Sequence, residues 1–260
     1  MGRAGLTRLL VGSAGDAVSE HAETLARGIA ARVGAELEIL AVESAGVPGL
    51  VAVGGPAGYH SDAHPATWVR GVPGIEIVHR AKHVAADLVV LGRQQCCPDV
   101  TLPLGRTGDA VVRRHDGPCL LVPPSVPRLD RMLLALDGTQ RGLGILEPAA
   151  ALATALGAEC RSVHVNGGAV GAPTDSGWTD PATQRVRRAL AGFPALGGEA
   201  ALELRSGAPV QAVLEVLHDW GANLLVLGVR GGGPPGEMGS GHVGQDLLRS
   251  APVAILTVPI

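Results

Sequence analysis

Short apolar runs alternate along this chain with stretches whose apolar positions recur every three or four residues. The runs have the length and the Val, Leu and Ile content of buried strands, and the stretches have the spacing of amphipathic helices. Residues 8–11 are the first run. Leu25, Ile29 and Val33 then fall four apart, and Gly34 stands where a helix end favours a left-handed residue. Residues 35–42 read as the second strand. Residues 44–66, rich in Gly, Pro, Ala and His, hold neither period and read as a long loop or an eroded helix. A short third strand over 67–70 follows, then a helix from Pro73 to about Val84, with proline in the first turn where its missing N–H costs little. A strand over 87–91, a loop over 92–105, a helix over 108–114 and a strand over 119–122 complete the first half.

Pro123-Pro124-Ser125-Val126-Pro127 is stiff and unable to continue a central strand, so the domain boundary is placed there, giving 1–126 and 127–260. The pattern then restarts. Residues 132–136 read as a strand, 145–156 as a helix closed by Gly157, 158–165 as a strand, 180–193 as a helix without a counterpart in the first half, and 201–204 as a strand. From there the halves align without a gap at a constant offset. Gly71, Pro73, Val90, Leu91, Gly92, Gly105, Arg113 and Pro123 recur as Gly207, Pro209, Val226, Leu227, Gly228, Gly241, Arg249 and Pro259. One register held over that length marks a tandem repeat of one α/β domain, and strand–helix–strand order implies a parallel sheet with right-handed crossovers.

Composition narrows the class. Aromatic residues are only 2% of the chain, so the core is built from aliphatic side chains, as in parallel sheets. The 38 glycines and 19 prolines exceed average usage but stay below the range of about 25–30% that marks low complexity, and they belong to loops. No apolar run approaches the roughly 20 residues that span a bilayer, and the N-terminus turns polar after Val11, so the chain reads as soluble and unprocessed, with no membrane partner. Net charge is −3 with dispersed basic residues, which speaks against a nucleic-acid partner. The Arg185, Arg187, Arg188 group reads as a solvated helix face. Four cysteines without secretory features fit a reducing cytoplasm, the expected location.

The candidate chemistry lies in residues 223–258. An apolar strand enters a loop almost without side chains, and a helix begins directly after Gly241. Glycines allow close backbone approach, and the first amides of a helix offer unpaired donors to an anion. Gly228 and Gly231 are separated by two residues, Gly231 and Gly241 by nine. Asp137-Gly138-Thr139 ends the first strand of the same half, at the carboxyl edge where open α/β sheets bind ligands, although Asp before Gly is also a common turn pair.

This glycine spacing resembles the universal stress protein family, whose ATP-binding members follow the last glycine with Ser or Thr; here His242 takes that place. The resemblance covers nearly the whole chain. It implies two Rossmann-like domains of the adenine nucleotide alpha hydrolase-like type, each a five-stranded parallel sheet of order 3-2-1-4-5 with helices on both faces. It also implies pairing of the two domains through their fifth strands and allows a homodimer. By resemblance, Asp137, Gly138, Thr139, Val165, Gly228, Arg230, Gly231, Gly241, His242 and Val243 hold ATP or a related adenine nucleotide, with or without Mg. The implied role is stress-response regulation without metabolic turnover. The first half is expected to be degenerate, with Ala14 opposite Asp137, Gln95 opposite Gly231 and Arg106 opposite His242.

Other readings are weaker. Gly231 to Gly236 matches a dinucleotide fingerprint in spacing, but Pro234-Pro235 blocks the required helix and no acid ends the next strand. The only lysine, Lys82, excludes a Walker loop. His79 and His83 lie one turn apart without a third ligand in view, so no metal site is assigned. Cys96-Cys97 has only Arg93 nearby in sequence to lower a thiol pKa. No catalytic triad can be named, and no enzymatic activity beyond slow ATP hydrolysis is expected. The alternatives are a ligand-free dimerisation scaffold of the same fold and a nucleotide hydrolase.

Overall fold

The first apolar run becomes strand β1 (Arg8–Ser13), with Leu9, Leu10 and Val11 fully buried, in a computed structural model that describes residues 5–44, 67–94, 104–166, 179–229 and 242–260. The chain divides into two compact units, Met1–Pro127 and Arg128–Ile260. In the first, β1 is followed by α1 (Ala17–Val33), β2 (Glu36–Ser44), β3 (Thr67–Gly71), α2 (Pro73–Val84), β4 (Leu88–Gly92), α3 (Gly105–Arg114) and β5 (Cys119–Val122). The strands lie in the order β3-β2-β1-β4-β5, and each of the four pairs is parallel.

The second unit repeats this plan. It contains β6 (Arg131–Leu136), a 3-10 turn (Gly142–Ile145), α4 (Leu146–Leu156), β7 (Glu159–Asn166), α5 (Pro181–Ala191), β8 (Leu202–Ser206), α6 (Pro209–Trp220), β9 (Leu224–Val229), α7 (His242–Ser250) and β10 (Ala254–Pro259). Its order is β8-β7-β6-β9-β10, again all parallel. Both units are thus α/β, with strand order 3-2-1-4-5 counted within each. Buried residues run consecutively along β1, β4 and β9, because both faces of a parallel sheet are covered, whereas β8 is half-buried and β3 alternates half-buried with exposed positions.

The duplication is visible in how each first strand is tied down. Asp87 Oδ2 accepts from the amides of Thr7 and Arg8, and Asn223 Oδ1, its counterpart, accepts from those of Asp130 and Arg131. Arg8 Nη1 donates to Val84 O as Arg131 Nη1 donates to Trp220 O. The two strand starts therefore satisfy their leading amides in the same way.

Element ends depart modestly from the sequence reading. Gly34 and Gly157 cap α1 and α4 in the left-handed region, at φ 66° and 64°, as their positions predict. Helix α3 starts at Gly105 rather than at 108, because the polar pair Arg106-Thr107 forms a first turn that apolar periodicity does not register. Asp180 is the N-cap of α5 and not its first residue, accepting from Ala182 N at 2.9 Å and Thr183 N at 3.0 Å. Strand β8 is shifted toward Ser206, since 198–201 close a 3-10 turn first. The proposed loop over 44–66 lies, after Ser44, outside the described residues up to 66. Among the described residues no helix is long and apolar enough to cross a membrane.

One buried base gives the first unit a pH dependence. His115, at the end of α3, is 7% exposed and neither ring nitrogen has a hydrogen-bond partner. Burial holds its pKa below the usual imidazole value; Asp116 pulls the other way and Lys82 adds to the depression. In the unfolded chain an imidazole titrates near about 6.5, so below that pH the unfolded state takes up the proton first. Stability from the neutral ring is full above about 6.5 and declines on acidification. Thermal melts between pH 7.5 and 5.5 should therefore fall less in His115→Leu than in wild type; equal slopes would refute this assignment.

Candidate functional site

The carboxyl end of β6 turns through Asp137-Gly138-Thr139, and a local network fixes the carboxylate there. Asp137 Oδ1 accepts from Thr139 N at 2.8 Å and from Thr139 Oγ1 at 2.9 Å, while that hydroxyl accepts from Gly142 N at 2.9 Å. This is a side-chain turn of the kind aspartate forms with the residue two ahead. Behind the loop, Gly138 adopts φ 73° and its carbonyl accepts from Arg185 of α5. His164, buried on β7, donates from Nδ1 to Leu136 O at 2.7 Å. Two basic side chains thus hold the peptide units on either side of Asp137.

Beside the carboxylate lies a cavity of about 290 Å³. Its floor is formed by Ala135 and Leu136 of β6, Val163 and Val165 of β7, and Leu227 and Gly228 of β9. Pro209 and Val213 come from the first turns of α6, and Val243, Gly244 and Leu247 from α7. A side chain at Gly228 would bring Cβ to 2.9 Å from Ile260 Cδ1, so that the Ile260 side chain would have to shift to admit it. The walls are apolar. Asp137 supplies the titratable side chain among the described lining residues, and the first turn of α7 supplies amides without helical partners.

Of the residues singled out from sequence, Asp137, Val165, Gly228 and Val243 line this cavity. Thr139 buttresses Asp137, and Gly138 is turned toward α5. His242 opens α7, but its side chain, like Arg230, Gly231 and Gly241, lies outside the described residues. Gly142 was not anticipated. A Cβ there would stand 2.0 Å from Asp137 Oδ1 and 2.7 Å from Cγ. The strand alternation placing Val163 beside Val165, and the one-turn spacing of Pro209 and Val213, were available signals for those three unlisted walls.

The first unit has a cavity at the corresponding edge, of about 490 Å³, so space does not distinguish the halves. Chemistry at the rim does. Arg8 pairs with Glu36 as Arg131 pairs with Glu159 in strand register, which sets Ala14 opposite Asp137. Asp16, a carboxylate the sequence reading did not weigh, also lines this cavity. It is committed as the N-cap of α1, accepting from Ser19 N and Ser19 Oγ at 2.8 Å each. Arg106 lines the mouth, exposed. Gln95 and Cys96-Cys97 fall outside the described residues, and among the described residues no cluster of three or more His, Cys, Asp or Glu could hold a metal.

The family model described as the Universal stress protein family matches residues 128–259. No curated protein matches the chain. Among solved structures, a universal stress protein from Archaeoglobus fulgidus DSM 4304 superposes with a TM-score of 0.72 at 19% identity, covering 97% of this chain and 98% of that one. A putative universal stress protein from Pseudomonas aeruginosa UCBPP-PA14 follows at 0.69 and 14%, covering 98% and 93%. At these identities the likeness concerns the fold, over both units.

Proposed function

Because this chain belongs to the universal stress protein family, in its tandem two-domain form, we propose that its second half binds ATP or a related adenine nucleotide as a stress-response regulator. The observation that carries this reading is the Asp137 carboxylate, held by Thr139 at the carboxyl end of the central strand and facing an apolar cavity that reaches the start of α7. Each part of a nucleotide has a complementary part here. Vicinal ribose hydroxyls donate to a carboxylate, a purine is accommodated by the Val163 and Val165 wall, and phosphates are favoured at helix-start amides and glycine backbone. About 290 Å³ suits a nucleoside, with the phosphates carried toward the start of α7. A Mg ion accompanying them would be held largely by phosphate oxygens and water.

The same residues argue for binding without metabolic turnover. Asp137 is engaged by Thr139, and the other described lining side chains are apolar. None is poised as a nucleophile at the cavity. In the first half Ala14 offers no acceptor to a ribose, so one nucleotide per chain is expected.

Calorimetric titration of the intact protein with ATP tests the assignment. Asp137→Ala should bind at least about tenfold more weakly than wild type, the loss expected when hydrogen bonds to a charged group are removed. Equal affinity would remove Asp137 from the site. No binding by either protein would leave the ligand-free scaffold as the better reading.

A further inference from the structure

The two units also differ in charge at the opposite, amino-terminal edge of their sheets. In the first unit a groove of about 390 Å³ runs between Arg8, Glu36, Glu38 and Arg80, and its ions are paired one to one. Arg8 Nη2 meets Glu36 Oε2 at 2.7 Å and Arg80 Nε meets Glu38 Oε1 at 2.8 Å. The second unit has a groove of similar volume at the matching place, lined by Arg131, Arg161, Glu203, Arg205, Asp219 and Trp220. Strand register makes Arg161 the counterpart of Glu38, since Leu10 faces Glu38 and Leu133 faces Arg161. The duplicated carboxylate has become a guanidinium. Val216 stands where Arg80 stood, and Trp220 where Val84 stood.

Among the described residues neither Arg161 nor Arg131 makes an ion pair, although Glu159, the counterpart of Glu36, stays opposite Arg131 in strand register. Arg161 Cζ lies 4.8 Å from the centroid of the Trp220 ring, stacked and not ion-paired. Arg131 spends one donor on Trp220 O at 3.0 Å. Glu203 is taken by Arg205, whose Nε donates to Oε1 at 2.7 Å, so Asp219 is the one lining carboxylate not already paired. Stacking on the indole holds Arg161 in one orientation, which lowers the entropy cost of presenting its planar fork, and two such forks match the geometry of an oxyanion.

We propose that this groove of the second unit binds a small oxyanion, a phosphate or a carboxylate, through the Arg161 and Arg131 guanidiniums. The site is separate from the nucleotide cavity. Arg131 begins β6 and Asp137 follows its last residue, six strand positions or about 20 Å away.

The intact protein, labelled with ¹⁵N, is titrated with inorganic phosphate and separately with succinate at constant ionic strength, following the Trp220 indole resonance assigned through Trp220→Phe. Wild type should show a saturable shift with at least one of the two, and the anion that saturates identifies the ligand class. Arg161→Glu, which copies the first unit's residue, should weaken binding at least about tenfold, and Asp219→Asn, which removes the opposing charge, should tighten it severalfold. Arg161→Gln serves as a neutral second variant should the charge reversal disturb folding. A shift that stays linear with both anions in wild type, or the same affinity in Arg161→Glu and Arg161→Gln as in wild type, overturns the proposal.

Discussion

Gly142→Ala should cost the second half its nucleotide while leaving the fold intact. The backbone at Gly142 is not in the left-handed region, so alanine fits the 3-10 turn it begins without torsional strain. Its Cβ, however, would stand 2.0 Å from Asp137 Oδ1, which no real contact permits. The atom in the way is the tip of a side chain, so the carboxylate yields before the backbone does. In yielding it leaves Thr139 N and Thr139 Oγ1, the donors that aim it at the cavity. A single methyl group should thus do what Asp137→Ala does, weakening ATP binding at least about tenfold. The double variant should bind no more weakly than either single one, because both remove the same interaction. Wild-type affinity in Gly142→Ala would show that Asp137 is not aimed by this turn.

Gly138→Ala should fail differently, by loss of stability. At φ 73° an alanine pays the left-handed penalty of about 1–2 kcal/mol. Its Cβ would also lie 2.8 Å from Ala182 Cβ and 3.0 Å from His164 Cε1, both packed against the loop from behind. Neither neighbour is the end of a flexible chain: Ala182 belongs to α5, and His164 is buried and bonded to Leu136 O. Overpacking of that kind costs about 1–3 kcal/mol, so denaturant unfolding should show a total loss of roughly 2–5 kcal/mol. A loss below about 0.5 kcal/mol, the usual range for inert surface changes, would mean that α5 is not seated on the loop. The contrast separates aim from support: Gly142 faces the carboxylate itself, whereas Gly138 faces the elements packed behind the loop.

What was legible in the sequence follows from what is local or periodic. The strands could be read because buried parallel strands are continuous apolar runs, and Gly34 and Gly157 because helix ends select for glycine by backbone conformation alone. The repeat was legible because Gly71 through Pro123 and their counterparts keep one register. The start of α3 was not, since Arg106 and Thr107 carry no apolar signal. Nor were Gly142 and Asp16, whose roles depend on contacts made after folding: the first on a carboxylate five residues away across a turn, the second on whether its oxygens cap α1 or stay free. The inversion from Glu38 to Arg161 is written in the sequence, yet it gains meaning only when strand register and the Trp220 stack set the two grooves side by side.

The central claim is an asymmetric pair of halves, one holding an adenine nucleotide and the other unable to hold it in the same way. The most direct measurement is the stoichiometry of ATP binding to the intact chain, by calorimetry, in wild type and in Asp137→Ala. The account predicts one nucleotide per chain in wild type and loss of that site in the variant. Two equivalent nucleotides per chain, or a single site untouched by Asp137→Ala, would contradict it.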